Sequence, residues 1–175
     1  AFIETHPAVS EDELVNVMQE LVQMGMGDLA VRLHKISKVF DLSNNFLGLL
    51  HLGSGALKAN DFELAEGSFA QAQKLVPEEP APYVNLARLF FHQQKDELCE
   101  QWIQGGLEAD LNYYGLWEIL GLLYQHKFQE QSGQKLREFA EQKHSWAGLS
   151  LSALLIDADD KLLRVQLLEP IYESG

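Results

Sequence analysis

Cysteine is almost missing from this chain: Cys99 stands alone, which excludes an internal disulfide and any C-x-x-C redox or metal pair. Basic residues are scarce as well. Only 13 lysines and arginines face 26 acids, a net charge of −13, so the clustered cations that neutralise nucleic-acid phosphates are not there. The same balance opposes an anionic membrane surface. No run of about 18 apolar residues occurs, so no membrane insertion is expected, and the acid-bearing N-terminal stretch is no secretory signal. Alternating apolar stretches are absent too, which leaves no strand to predict. Neither a G-x(4)-G-K-[ST] loop, an H-E-x-x-H pair nor a G-x-S-x-G elbow is found, so the expectation is a non-catalytic protein without cofactor or metal.

What is present is repetition. Trp117 to Tyr124 spells W-x2-L-G-x2-Y, and its slots recur at intervals of 34. Leu49, Tyr83 and Trp117 share one slot; Leu52, Leu86 and Leu120 the next; then Gly53, Ala87 and Gly121, and Ala56, Phe90 and Tyr124. A second set, Ala65, Phe69, Ala72 and Pro77, returns as Cys99, Ile103, Gly106 and Leu111. Three-, four- and seven-residue spacings put each set on one helix face that must be buried. Small residues at 53, 87, 121, 65 and 99 mark close helix approach, and the aromatics fill the space beside them.

These motifs resemble the tetratricopeptide repeat family. The resemblance implies an all-α, right-handed superhelical solenoid of about five antiparallel helix pairs, in which no pair buries its apolar surface alone. The expected organisation is an N-terminal segment (1–10), a degenerate pair (11–45), two good repeats (46–79 and 80–113), a repeat with an atypical second helix (114–142), and a C-terminal pair (143–175). In the degenerate pair Leu14, Val17, Met18, Leu21 and Ala30 fill slots at a spacing of 35, with His34 and Ser37 out of pattern. In the atypical helix Gly133 takes the small slot and Arg137 the aromatic one. Trp146, Leu149, Ser150 and Ala153 reopen the signature after a shortened spacing, with Trp146 expected in the core; Trp102 has no evident partner.

Helix starts can be read locally. Ser10 with Glu13 forms a capping box, Gly25-Met26-Gly27 closes the first helix, and Asp28 is placed to cap the second. Asn60 with Glu63 suits the start of the helix carrying Phe69, and Pro82 fits the first turn of the helix after Pro77 and Pro80.

The resemblance also implies where a partner protein would bind. First helices line the concave face, with Leu50, Ser54, Leu57 and Lys58 from one, Val84, Asn85, Arg88, Phe91 and His92 from the next, and Glu118, Leu122, Gln125 and His126 from the third. This lining is mainly apolar. The carboxylate clamp of one subtype would need gripping side chains where Leu50, Ser54, Gly115 and Ile119 stand, so only Asn85 matches. An extended or helical peptide segment with apolar anchors fits better. Alternatively the rows are covered by the N-terminal helix, by repeats outside this chain, or by homodimerisation.

His92 and His126, 34 apart, hold equivalent slots on neighbouring first helices, but two imidazoles with no ligand fixed beside them make a poor metal site. Cys99 in an alanine slot reads as packed and inert. The acids, Glu78, Glu79, Glu97 and Glu100 among them, read as a solvated exterior. The leading expectation is an interaction scaffold or adaptor, a repeat segment of something longer. The alternative is a small acidic chaperone shielding a secreted substrate, similar to those of type III secretion. Cytoplasm is the expected compartment, with the periplasm following if a segment upstream of Ala1 was removed.

Overall fold

In the computed structural model, which describes residues 10–37 and 41–157, each apolar stripe becomes one face of a helix. The helices among these residues are α1 (Glu11–Gln23), α2 (Gly27–Ile36), α3 (Phe46–Lys58), α4 (Phe62–Leu75), α5 (Pro80–His92), α6 (Asp96–Ala109), α7 (Tyr114–Phe128), α8 (Ser132–Lys143) and α9 (Trp146–Asp157). No strand is found among them. The expected partner of α9, and the acids Asp159 and Asp160, lie outside the described residues. The chain forms two compact units, residues 1–72 and 73–175.

The turns carry the repeat as clearly as the helices do. At Gly25, Asn60 and Gln94 the backbone is left-handed, with φ of 76°, 58° and 56°. Behind each, the next amide reaches back five residues: Met26 to Leu21, Asp61 to Ala56, and Lys95 to Phe90, at 2.8–2.9 Å. This pairing satisfies the last carbonyls of α1, α3 and α5 and turns the chain sharply into the next helix. Glycine suits the first of these positions because it meets no steric penalty there.

Two expected caps move. Asn60 is the left-handed turn residue, and Asp61 takes the cap, its Oδ1 accepting from the Leu64 amide at 3.3 Å. Asp28 sits inside the first turn of α2, whose cap residue, Met26, makes no side-chain bond. The Ser10–Glu13 box is formed in both directions, and the bond from the Ser10 amide holds the Glu13 carboxyl below its usual range.

In the first unit, α1 packs on α2 and α3, and α2 on α3. Leu14, Met18 and Ala30 are buried as their slots require, but Val17 faces outward and Val15 and Val22 are buried instead. Gly27 and Gly55 bring α2 and α3 together: a Cβ on Gly27 would lie 2.5 Å from the Gly55 carbonyl oxygen. Phe69 of α4 lies wholly buried against Gly53 of α3.

In the second unit α5 pairs with α6, α7 packs against both, and α8 and α9 follow. Trp102, without a partner in the sequence reading, stacks at a tilt on Tyr83 with ring centroids 6.0 Å apart. The Tyr83 hydroxyl donates to the Pro77 carbonyl at 2.9 Å and accepts from Gln73 at 3.0 Å. Trp117 is fully enclosed: Phe139 of α8 lies 5.7 Å away, and its indole N–H donates to the Leu111 carbonyl at 2.7 Å.

The third repeat shows why Arg137 departs from pattern. After α7 a 3-10 turn, Gln129–Gln131, precedes α8, and Leu136 rather than residue 137 points inward. Arg137 is exposed and pairs with Glu141 at 2.9 Å. Gly133 meets the backbone of α9 at Leu155 and Ile156.

Trp146 is a correction. It is 64% exposed, and Leu149, Ser150 and Ala153 also face outward, while Ala147, Gly148, Leu151, Ser152 and Leu155 form the buried side. The reason is steric: at Gly148 the α9 backbone seats directly on the Trp117 ring, where a Cβ would lie 2.5 Å from it. That contact fixes the rotation of α9 and turns Trp146 away.

Candidate protein-binding face

On α5, Val84, Arg88 and Phe91 recur at helical spacing, and on α7 Glu118, Leu122 and Gln125 do the same, so packing of α5 on α7 sets two rows side by side. The rows meet along their length. A Cβ on Gly115 would stand 3.6 Å from Val84, the Arg88 guanidinium acts on the Glu118 carboxylate, and the Phe91 ring meets the His126 ring edge-on at 6.5 Å.

Exposure divides these residues. Val84 and Leu122 keep only 7% and 8% of their surface, so they form the floor, and Ile119 of α7 is wholly buried. Asn85, Arg88, Phe91, Glu118 and Gln125 are half-buried, and His92 and His126 are exposed. In the first unit Leu50, Ser54, Leu57 and Lys58 are half-buried on α3, while Leu47 is exposed. The Lys58 ammonium is already engaged, donating to the Val22 carbonyl at 2.9 Å and so closing the end of α1.

His92 and His126 do come together. With Phe91, Gln94 and Asp96 they line a depression of about 240 Å³ at the ends of α5 and α7. Sequence spacing offered no carboxylate beside them, yet the α5–α6 turn delivers one: Asp96 Oδ2 lies 3.2 Å from His126 Nδ1. No spacing in the sequence signals this contact, because it joins the first residue of α6 to the far end of α7. Nearby, Lys127 pairs with Glu100 at 2.8 Å, and that bond raises the lysine pKa. Among the described residues no group of three or more His, Cys, Asp and Glu is placed to hold a metal ion.

Burial sets the charge states. It raises the Glu118 carboxyl, with Arg88 pulling the other way, and it raises the Tyr113 phenol with help from Glu79. Cys99 is fully enclosed, and desolvation with Asp96 nearby pushes its thiol up to about 12. A thiolate nucleophile is therefore absent at neutral pH. His34 and His51 are lowered from 6.5 by burial, with Lys35 adding to the first; His92 is lowered by the part of its ring that packs inward, although much of its surface is open, with Arg88 adding to it.

For these imidazoles the unfolded chain takes up protons first as pH falls. They cost nothing well above 6.5 and destabilise progressively as pH drops through 6.5 toward their lower folded values. The urea midpoint should therefore fall between about pH 7.5 and about pH 5.5, and fall less when the three are changed to glutamine. An equal fall in that triple variant would remove the histidines as the cause.

No family model matches the chain, and no curated protein matches it significantly. Among solved structures it resembles one described as the MamA RS-1 ArsTM double mutant, with a TM-score of 0.58 and 17% identity over 96% of this chain and 100% of that one. MamA contains tetratricopeptide repeats, so the likeness extends the repeat register to the level of fold. No described helix is long and apolar enough to cross a membrane. The chain is all-α with a tetratricopeptide-like fold.

Proposed function

We propose that the chain is a non-catalytic protein-interaction module that receives a peptide or helical segment of a partner on the face of α5 and α7. The observation that carries this reading is the half-buried Phe91 ring. It lines the depression together with His92 and His126, and on α5 it follows Arg88, which acts on Glu118, in the row that includes the buried Val84. An aromatic anchor flanked by polar groups over an apolar floor is the arrangement found where binding energy concentrates. Floor residues supply shape, while Arg88, Glu118 and Gln125 would fix direction and register of a bound segment. Leu50, Ser54 and Leu57 hold the same register slots on α3, but the α5–α7 face can be tested without them.

Phe91→Glu is the direct test. A charge on the half-buried ring position should reduce capture of the co-purifying partner by at least about tenfold. His126→Ala should weaken it less. Circular dichroism should show the same helix content in both variants. Full capture by Phe91→Glu with normal helicity would remove this face as the binding surface.

A further inference from the structure

A cavity of about 990 Å³ lies elsewhere, in the first unit, among α2, α4 and the first turns of α3. That volume is the upper end of the range, roughly 300–1,000 Å³, in which small-molecule sites fall. Its floor is apolar: Leu42, Leu49 and Leu52 come from one side and Leu64 from the other. At Gly67, in the middle of α4, a Cβ would meet nothing within 4 Å, so the space continues up to the helix backbone.

The rim is anionic. Among the described residues Asp41, Asp61 and Glu63 stand there against one lysine, Lys35, whose ammonium is 3.6 Å from Asp61. Asp41 accepts the Ser43 amide at 3.0 Å, which keeps its carboxyl below the usual range and therefore ionised. Glu63 makes no ion pair or hydrogen bond among the described residues. His34 also lines the cavity; burial keeps its ring neutral at pH 7, and its Nδ1 is buried without a hydrogen-bond partner among the described residues.

We propose that this cavity is a binding site for an amphiphilic amine, whose apolar body rests on the leucine floor while its ammonium sits among Asp41, Asp61, Glu63 and the His34 ring. A carboxylate or phosphate head would face, among the described residues, three like charges with one already paired cation. A neutral head would leave the rim charges unused. The site shares no residue with the α5–α7 face, so it stands or falls apart from the reading given for that face.

The test uses three probes of one shape, 4-phenylbutylammonium, 4-phenylbutanol and 4-phenylbutyrate, titrated into the full chain and followed by amide NMR shifts. The ammonium should move the Leu64, Gly67 and Ser68 amides and bind at least about tenfold more tightly than the carboxylate, the alcohol falling between. Glu63→Gln should weaken the ammonium and leave the alcohol unchanged. Gly67→Leu fills the space from a position where a side chain has room, and leucine is the better helix former. It should abolish binding while the melting temperature holds or rises. Equal binding of ammonium and carboxylate, no shifts at millimolar probe, or undiminished binding by Gly67→Leu would each overturn the proposal.

Discussion

Trp117→Ala is expected to cost about 4 kcal/mol, in the range that truncation of a fully buried aromatic carries. The ring is enclosed on three sides in the 73–175 unit: Phe139 of α8, Gly148 of α9, and the chain at Leu111 that accepts its indole N–H. None of these groups can close the gap without moving a helix. Trp117→Phe separates packing from polarity. It keeps a ring against Phe139 and gives up the bond to Leu111, whose carbonyl retains the Ser145 hydroxyl at 3.3 Å. That variant should lose only about 1–2 kcal/mol. Urea unfolding followed by circular dichroism measures both, and a loss below about 1 kcal/mol for Trp117→Ala would mean that the ring does not hold α8 and α9 in place.

Gly53→Val should cost about 2–3 kcal/mol in the 1–72 unit through overpacking. A Cβ at this position would lie 2.5–2.9 Å from three atoms of the Phe69 ring, and that ring has no exposed surface into which to retreat. Gly121 holds the same slot two repeats later, and there the contrast is sharp. Its Cβ would stand 3.4 Å from Leu151, 3.5 Å from Leu155 and 3.8 Å from Leu136, all ordinary contacts. Gly121→Ala should therefore be neutral or stabilising by up to about 1 kcal/mol, because alanine is the better helix former. Bulk as large as leucine would still overfill the site. If Gly53→Val and Gly121→Ala shift the urea midpoint alike, the close approach at Phe69 has been misassigned.

The two glycines show where sequence reasoning stops. A 34-residue register says that both positions face a neighbouring helix, and both do. It does not say how near that neighbour comes, because the distance depends on the rotamer of Phe69 in one case and on leucine tips in the other. The candidate face behaves in the same way. The rows on α5 and α7 were legible from spacing, and so was the meeting of His92 with His126. Asp96 was not, because it opens α6, whose direction is set by the turn at the left-handed residue Gln94.

What the sequence by itself determined is the helical class, the repeat length and the buried stripes of α3 to α7, because these depend on periodicity within single helices and on small residues at regular spacing. Tertiary structure alone decided the side of α9 that is buried, the partner of Trp102, and the cavity beside Gly67. The physical reason is clearest in α9. Its residues Trp146 to Ile156 are apolar nearly all round, so periodicity favours no face, and the choice falls to the close fit of Gly148 on Trp117. A helix with two apolar faces takes its orientation from its neighbours.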